Sequence, residues 1–175
     1  LDRADVCLLT KVDQAEAGNC ELVCDTIRKY NQHAPIIQSI HDSVCFLEIA
    51  DWYKSIPDSE VALKAISGQR IIAFSAIGNP KSFEQSIASR GAEIVDAIRF
   101  QDHHEYTMAE MQDILESALQ KNVCALVTTE KDAVKIPPEF IHSKRGLPVY
   151  ILKMELKILP SHEEFLQAIK QKMKN

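Results

Sequence analysis

Four short polar strings hold the residue types from which a reaction site is built. Thr10-Lys11-Val12-Asp13 has the [NT]-K-x-D form of purine recognition in P-loop GTPases, where the lysine stem lies along the base and the carboxylate accepts from ring N–H groups. Thr10, Lys11 and Asp13 are therefore candidate nucleotide contacts; the alternative is a solvated lysine at a strand end. Ile77-Gly78-Asn79-Pro80 places a glycine just before a helix start, where free N–H groups and the helix dipole can hold an anion. The competing reading makes Gly78 a tight turn and Asn79 only a cap. Asp102-His103-His104 sets a carboxylate beside two imidazoles. An aspartate there can orient a histidine and raise its basicity, so that the ring acts as a general base, or assists one, near neutral pH. Adjacent residues of an extended chain alternate direction, so one histidine is expected to face the site. Otherwise Asp102 starts a turn and both histidines are surface residues. In Thr128-Thr129-Glu130-Lys131-Asp132-Ala133-Val134-Lys135, Lys131 is a candidate phosphate contact, with Glu130 and Asp132 holding its position. The same carboxylates could simply pair with Lys131 and Lys135, at low value to stability.

These strings matter together because each follows an apolar stretch that reads as a strand. Val6 to Thr10, Ile71 to Ser75, Ala92 to Phe100 and Cys124 to Thr129 precede them in turn. Helix signals alternate with the strands. Asn19 is a candidate cap for a helix with Leu22, Val23, Ile27 and Tyr30 on one face. Asn79 caps a helix with Pro80 at its first position, striped by Phe83, Ile87 and Ala88 and ended by Gly91. Thr107 and Glu110 form a capping box for a helix that turns Met108, Met111, Leu115, Ala118 and Leu119 inward. Further extended stretches are expected at Ile36 to Ile40 and Val149 to Met154. Pro137-Pro138 breaks the short helix after the fourth string. Ser161 and Glu164 cap a last helix carrying Phe165, Leu166, Ile169 and Met173. Alternating strands and helices imply an α/β fold with a parallel or mostly parallel sheet. In such sheets ligands collect at the carboxyl ends of the strands, where all four strings fall. Val44 to Ser67, with Trp52 and a turn at Ile56-Pro57-Asp58, follows neither period and reads as a connector between two lobes.

Composition excludes several classes. The 175 residues are 46% apolar and 26% charged, enough for a packed core. A net charge of -5 gives no basic face for nucleic acid. The lysines at 170, 172 and 174 complement the dipole of a final helix. Apolar runs such as Val6 to Leu9 fall far short of the ~20 residues of a membrane span. The start, Leu1-Asp2-Arg3-Ala4-Asp5, is no signal peptide and reads as the middle of a longer chain. Cys7, Cys20, Cys24, Cys45 and Cys124 contain no C-x-x-C and are expected to be free thiols. The five glycines fit neither G-x-G-x-x-G nor G-x-x-x-x-G-K-[ST], so these residues hold no phosphate loop of either kind.

In order and spacing, Phe74-Ser75-Ala76-Ile77-Gly78-Asn79-Pro80, Asp102-His103-His104-Glu105-Tyr106-Thr107 and Thr128 to Lys135 resemble the C-terminal half of the tetraacyldisaccharide 4'-kinase family, the lipid A 4'-kinases. Arg3-Ala4-Asp5 resembles that family's mid-chain strand. Ala76 stands where the family more often has glycine.

The resemblance implies transfer of the γ-phosphoryl of ATP to the 4'-hydroxyl of a lipid A disaccharide 1-phosphate precursor. It implies a three-layer α/β/α lobe with a mostly parallel sheet, joined by a β-ribbon connector to a P-loop-type α/β lobe. On that map residues 1–38 end the nucleotide-binding lobe, 39–69 form the connector region and 70–175 form the C-terminal lobe. Asp102 would orient His103, and His103 would tune or relay protons for the base that activates the sugar hydroxyl. His104, Asn79, Glu130, Lys131 and Asp132 would support the site or contact substrate and phosphate. ATP and Mg²⁺ would be held mainly by residues before Leu1, with no metal site in this chain. The same missing part would meet the membrane, placing the enzyme at the cytoplasmic face of the inner membrane, with this piece soluble and inactive alone. Two other readings stand beside it. Asp102-His103-His104 also suggests a DHH-type metal phosphoesterase, which needs further aspartate clusters for two metals. Thr10 to Asp13 suggests a noncatalytic purine-nucleotide-binding module.

Overall fold

The computed structural model describes residues 1–159 and 162–173. Its strands and helices alternate as expected: β1 (Cys7–Leu9), α1 (Asn19–Tyr30), β2 (Ile36–Glu48), α2 (Ile49–Tyr53), β3 (Glu60–Val61), β4 (Arg70–Ser75), α3 (Pro80–Ala88), β5 (Glu93–Arg99), α4 (Met108–Gln120), β6 (Ala125–Thr129), α5 (Glu130–Ala133), α6 (Pro138–Ser143), β7 (Val149–Leu159) and α7 (His162–Met173). Strand pairing is mostly parallel, so the fold is α/β. Contacts divide the chain into two compact units, residues 1–42 with 154–175, and residues 43–153. No described helix is long and apolar enough to cross a membrane.

In the first unit β1 runs parallel to the start of β2, with Cys7 opposite Ile36 and Leu9 opposite Gln38. Asn31 ties this unit's turns together. Its side-chain amide donates to the carbonyls of Leu1 and Ala4, and its oxygen accepts from the N–H groups of His33 and Ala34. The expected apolar face of α1 is mostly not buried. Only Ile27 is, against Cys7 and Ala34, while Leu22, Val23 and Tyr30 are exposed. Among the described residues that buried cluster is too small to cover a whole helix face. The cap differs too: Gly18, left-handed at φ 85°, precedes a helix that starts at Asn19. The proposed cap Ser161 lies outside the described residues.

In the second unit β4 lies between β5 and β6, parallel to both, and β7 runs parallel to β6. Every residue from Ile71 to Ser75 is buried, which is why this strand is continuously apolar rather than alternating. Ile72, Phe74, Met111, Leu115, Leu126 and Ile151 belong to one core cluster. The stretch that followed no period is part of this unit. Residues 44–48 finish β2, and Phe46 and Leu47 pair antiparallel with β3. Trp52 and Tyr53 of α2 pack against the same core, and the Tyr53 hydroxyl donates to the carbonyls of Ile136 (2.7 Å) and Ala133 (3.2 Å).

The punctuation of the helices follows their residues. Asn79 Oδ1 accepts from Ser82 N at 3.2 Å, with Pro80 inside the first turn of α3. Phe83 and Ile87 are buried while Ala88 is exposed. Arg99 at the end of β5 forks onto Glu84 of α3 with two 2.8 Å bonds, fixing that helix along the strand. After α3 the chain reverses at Gly91, where φ is +85°. A β-carbon at that position would lie 2.9 Å from Ser67 Oγ. Gly91→Ala is therefore expected to cost about 1–2 kcal/mol, from the left-handed backbone and the displaced serine. Urea unfolding checks this, and an unchanged midpoint would contradict it.

Candidate active site at the carboxyl ends of β4, β5 and β6

The strand order β7-β6-β4-β5 creates a switch point. From β4 the chain passes through α3 to β5 on one side. It then returns through α4 to β6 on the other side of β4, and continues outward to β7. The chain exits of β4 and β6 thus diverge, opening a crevice where α/β proteins bind ligands. The segments after β4, β5 and β6 are three of the four polar strings, Ala76 to Pro80, Asp102 to Tyr106 and Thr129 to Asp132.

Hydrogen bonds fasten them to one another. Asp132, fully buried, accepts from Ala76 N on one carboxylate oxygen (3.1 Å) and from Thr129 Oγ1 on the other (2.7 Å). Thr129 Oγ1 in turn accepts from Asp132 N at 3.2 Å, capping α5. The Ala76 carbonyl accepts from His103 N at 3.3 Å. That N–H also faces Asp102 Oδ1 at 3.0 Å. Gly78 lies against the same aspartate: a β-carbon there would sit 3.3 Å from Asp102 Oδ2.

His103 is held with a left-handed backbone, φ 66°, a conformation that histidine adopts more readily than most side chains. Its imidazole is 89% exposed and its Nε2 stands 3.9 Å from Asp102 Oδ2, itself half exposed. The ring is thus presented outward beside a carboxylate, beyond hydrogen-bond distance. His104 is placed quite differently. It stacks on Phe100 (centroids 4.7 Å apart), meets Tyr106 edge-on and lies 3.1 Å from Glu110 Oε2. Of the two histidines, His103 is the one free to meet a ligand.

Glu110 is the acceptor at the heart of this corner. The same Oε2 takes Thr107 N and Thr107 Oγ1 at 2.8 Å each, completing the expected capping box. These bonds, from the Thr107 backbone first and His104 next, hold its carboxyl below the ordinary value of 4.5. A depressed carboxyl stabilises the fold above its unfolded-state pKa and loses that contribution as pH falls through the folded one. Stability should therefore drop below about pH 4.5, and Glu110→Gln should flatten that part of the profile. Urea midpoints between pH 6 and about 3 measure it; an equally steep fall in the variant would contradict it.

The remaining candidates divide by exposure. Asn79 is exposed and engaged as a cap, Lys131 is exposed, and Glu130 is half-buried. Thr10, Lys11 and Asp13 belong to the first unit, after β1, and are exposed, with Lys11 left-handed at φ 59°. Residues that the sequence reading passed over are Tyr106 and the Ala76 peptide. Tyr106 is buried, and its phenol lies well above its ordinary pKa through burial and the neighbouring Asp132 carboxylate. A signal for Asp132 was present: Thr129-x-x-Asp132 has capping-box spacing, which turns the aspartate back on its own helix start instead of outward. No group of three or more His, Cys, Asp or Glu residues is gathered to hold a metal ion among the described residues.

Fold and site together describe an α/β protein with its polar groups gathered at a switch point, one exposed histidine among them. The family model described as Tetraacyldisaccharide-1-P 4'-kinase matches residues 1–174, and the chain belongs to this family. Curated relatives agree. The "Tetraacyldisaccharide 4'-kinase" of Halothermothrix orenii is 30% identical over 90% of this chain and 42% of its own length. That of Elusimicrobium minutum is 32% identical over 100% of this chain and 44% of its own. This chain thus spans less than half the length of these relatives. A crystal structure of LpxK from Aquifex aeolicus in complex with ATP aligns over 94% of this chain and 50% of that one, at 17% identity and a TM-score of 0.49.

Proposed function

We propose that this chain forms part of a kinase that moves the γ-phosphoryl of ATP to the 4'-hydroxyl of a lipid A disaccharide 1-phosphate precursor. The observation that carries the reading is His103, exposed beside Asp102 at the switch-point crevice of a chain matched by this family along residues 1–174. Phosphoryl transfer asks the protein mainly for positioning and charge stabilisation. When substrate covers the crevice, Asp102 holds and orients the His103 ring. His103 then relays or tunes the proton leaving the sugar hydroxyl. Lys131, exposed at the start of α5, supplies a cation for phosphate, with Glu130 beside it. Asn79 frames the crevice through the first turn of α3.

ATP and Mg²⁺ are held chiefly by residues outside this sequence, which contains no G-x-x-x-x-G-K-[ST]. Thr10, Lys11 and Asp13 are retained as purine contacts only as part of this proposal. The acceptor is a lipid, so the enzyme works peripherally at the cytoplasmic face of the inner membrane.

The test compares two proteins with ATP, Mg²⁺ and the disaccharide 1-phosphate. The whole gene product that contains this sequence should add a second phosphate, at the 4' position. The 175-residue chain, verified as folded by circular dichroism, should add none. Transfer by the chain alone would overturn the division of labour, and no transfer by the whole product would overturn the activity.

A further inference from the structure

Asp132 is the one fully buried carboxylate among the described residues, and the reaction above makes no use of its charge. A buried carboxylate is costly unless it is fully hydrogen-bonded. Here both oxygens are used, on Ala76 N and Thr129 Oγ1, one group on each side of the switch point. Burial removes Asp132 from direct contact with substrate or phosphate. It leaves a mechanical role.

The connection continues past Ala76. That residue's N–H is held by Asp132 and its C=O receives His103 N. One residue thus joins the buried carboxylate of β6's exit to the left-handed backbone that presents His103. Two residues on, Gly78 packs against Asp102, so a shift of this loop displaces the carboxylate as well as the imidazole. Tyr106, buried next to Asp132, closes the third side.

We propose that Asp132 is a positioning residue for the Asp102–His103 pair, acting across the switch point through the Ala76 peptide. The inference rests on the proposed role of His103, but it is tested by a readout independent of turnover. Asp132→Asn keeps the shape: its amide oxygen can accept from Ala76 N and its amide nitrogen can donate to Thr129 Oγ1. Asp132→Ala removes both bonds.

In the whole gene product, Asp132→Ala should speed hydrogen exchange at the His103 amide about tenfold or more, while α4 amides such as Met111 keep their protection. The same variant should lower kcat about tenfold with KM for ATP unchanged, since small misplacements at a reacting centre cost rate rather than remote binding. Asp132→Asn should restore both to within about threefold of the parent. Should Asp132→Ala fail to fold, Thr129→Ala, which releases one carboxylate oxygen, should move both readouts the same way. Unchanged exchange at His103 in the truncating variant would overturn the proposal. So would Asp132→Asn as impaired as Asp132→Ala, which would mean that the negative charge itself is used. If His103→Ala leaves turnover intact, the proposed role of His103 fails, and the exchange measurement still decides whether Asp132 holds that loop.

Discussion

Replacing His103 by alanine in the whole gene product lowers kcat about 10²-fold or more, the range of a positioned proton-transfer group. That is roughly 2.7 kcal/mol of transition-state stabilisation. The same substitution leaves KM for ATP and the melting temperature nearly unchanged. The reason is geometric. The imidazole is 89% exposed, so its removal opens no cavity and breaks no packed contact. The bonds that shape this loop are made by the backbone, His103 N to the Ala76 carbonyl and to Asp102, and alanine keeps that N–H. A loss confined to kcat marks an interaction made in the transition state. Steady-state kinetics check this, and unchanged kcat would remove His103 from the mechanism.

Phe74→Ala has the opposite signature. Phe74 is fully buried in the central strand β4, and its ring meets Tyr106 edge-on with centroids 5.7 Å apart. Truncating a buried phenylalanine costs about 3–5 kcal/mol, because the cavity closes only in part. For a protein of this size each kcal/mol shifts the melting temperature by roughly 2–4 °C, so a fall of about 6–20 °C is expected. The damage also spreads to the site. Tyr106 loses its aromatic neighbour, and it stands between Phe74 and the buried Asp132. Calorimetry measures the effect; a shift of only a degree or two would show that the core repacks freely around this position.

Local rules made much of this molecule legible. Ile71 to Ser75 is continuously apolar because a strand between two parallel neighbours is buried on both faces. Asn79-Pro80 and Thr107-x-x-Glu110 announce helix starts through side-chain chemistry that operates within four residues, and both caps are present. What escaped depends on tertiary surroundings. Leu22, Val23 and Tyr30 have helical spacing, but spacing cannot say whether a surface exists to bury them. β2 runs to Glu48 rather than Ile40 because His41, Asp42 and Ser43 interrupt the apolar pattern without interrupting the strand. β7 likewise continues beyond Met154 through the charged Glu155 and Lys157 to Leu159. Trp52 and Tyr53 sit on a five-residue helix too short to show a period, yet they pack on the main core.

The site divides in the same way. The placement of three polar strings at strand ends was visible in the sequence, since it needs only the alternation of strands and helices. Which of His103 and His104 is presented was not. The aromatic stack of His104 on Phe100 and its bond to Glu110 decide that, and they require the folded corner. Asp132 was hidden among charges. Glu130, Lys131 and Asp132 look alike as a solvated run, and only the capping geometry of Thr129 turns the third of them inward.

The measurement that bears most directly on the account is transfer of labelled γ-phosphate from ATP to the disaccharide 1-phosphate by the whole gene product, with Asp102→Ala, His103→Ala and the double variant assayed beside it. The account predicts 4'-phosphorylation by the parent, a loss of about 10²-fold in His103→Ala and little further loss in the double variant, because the two residues act as one unit. Absence of transfer by the parent, or full transfer by the double variant, would contradict it.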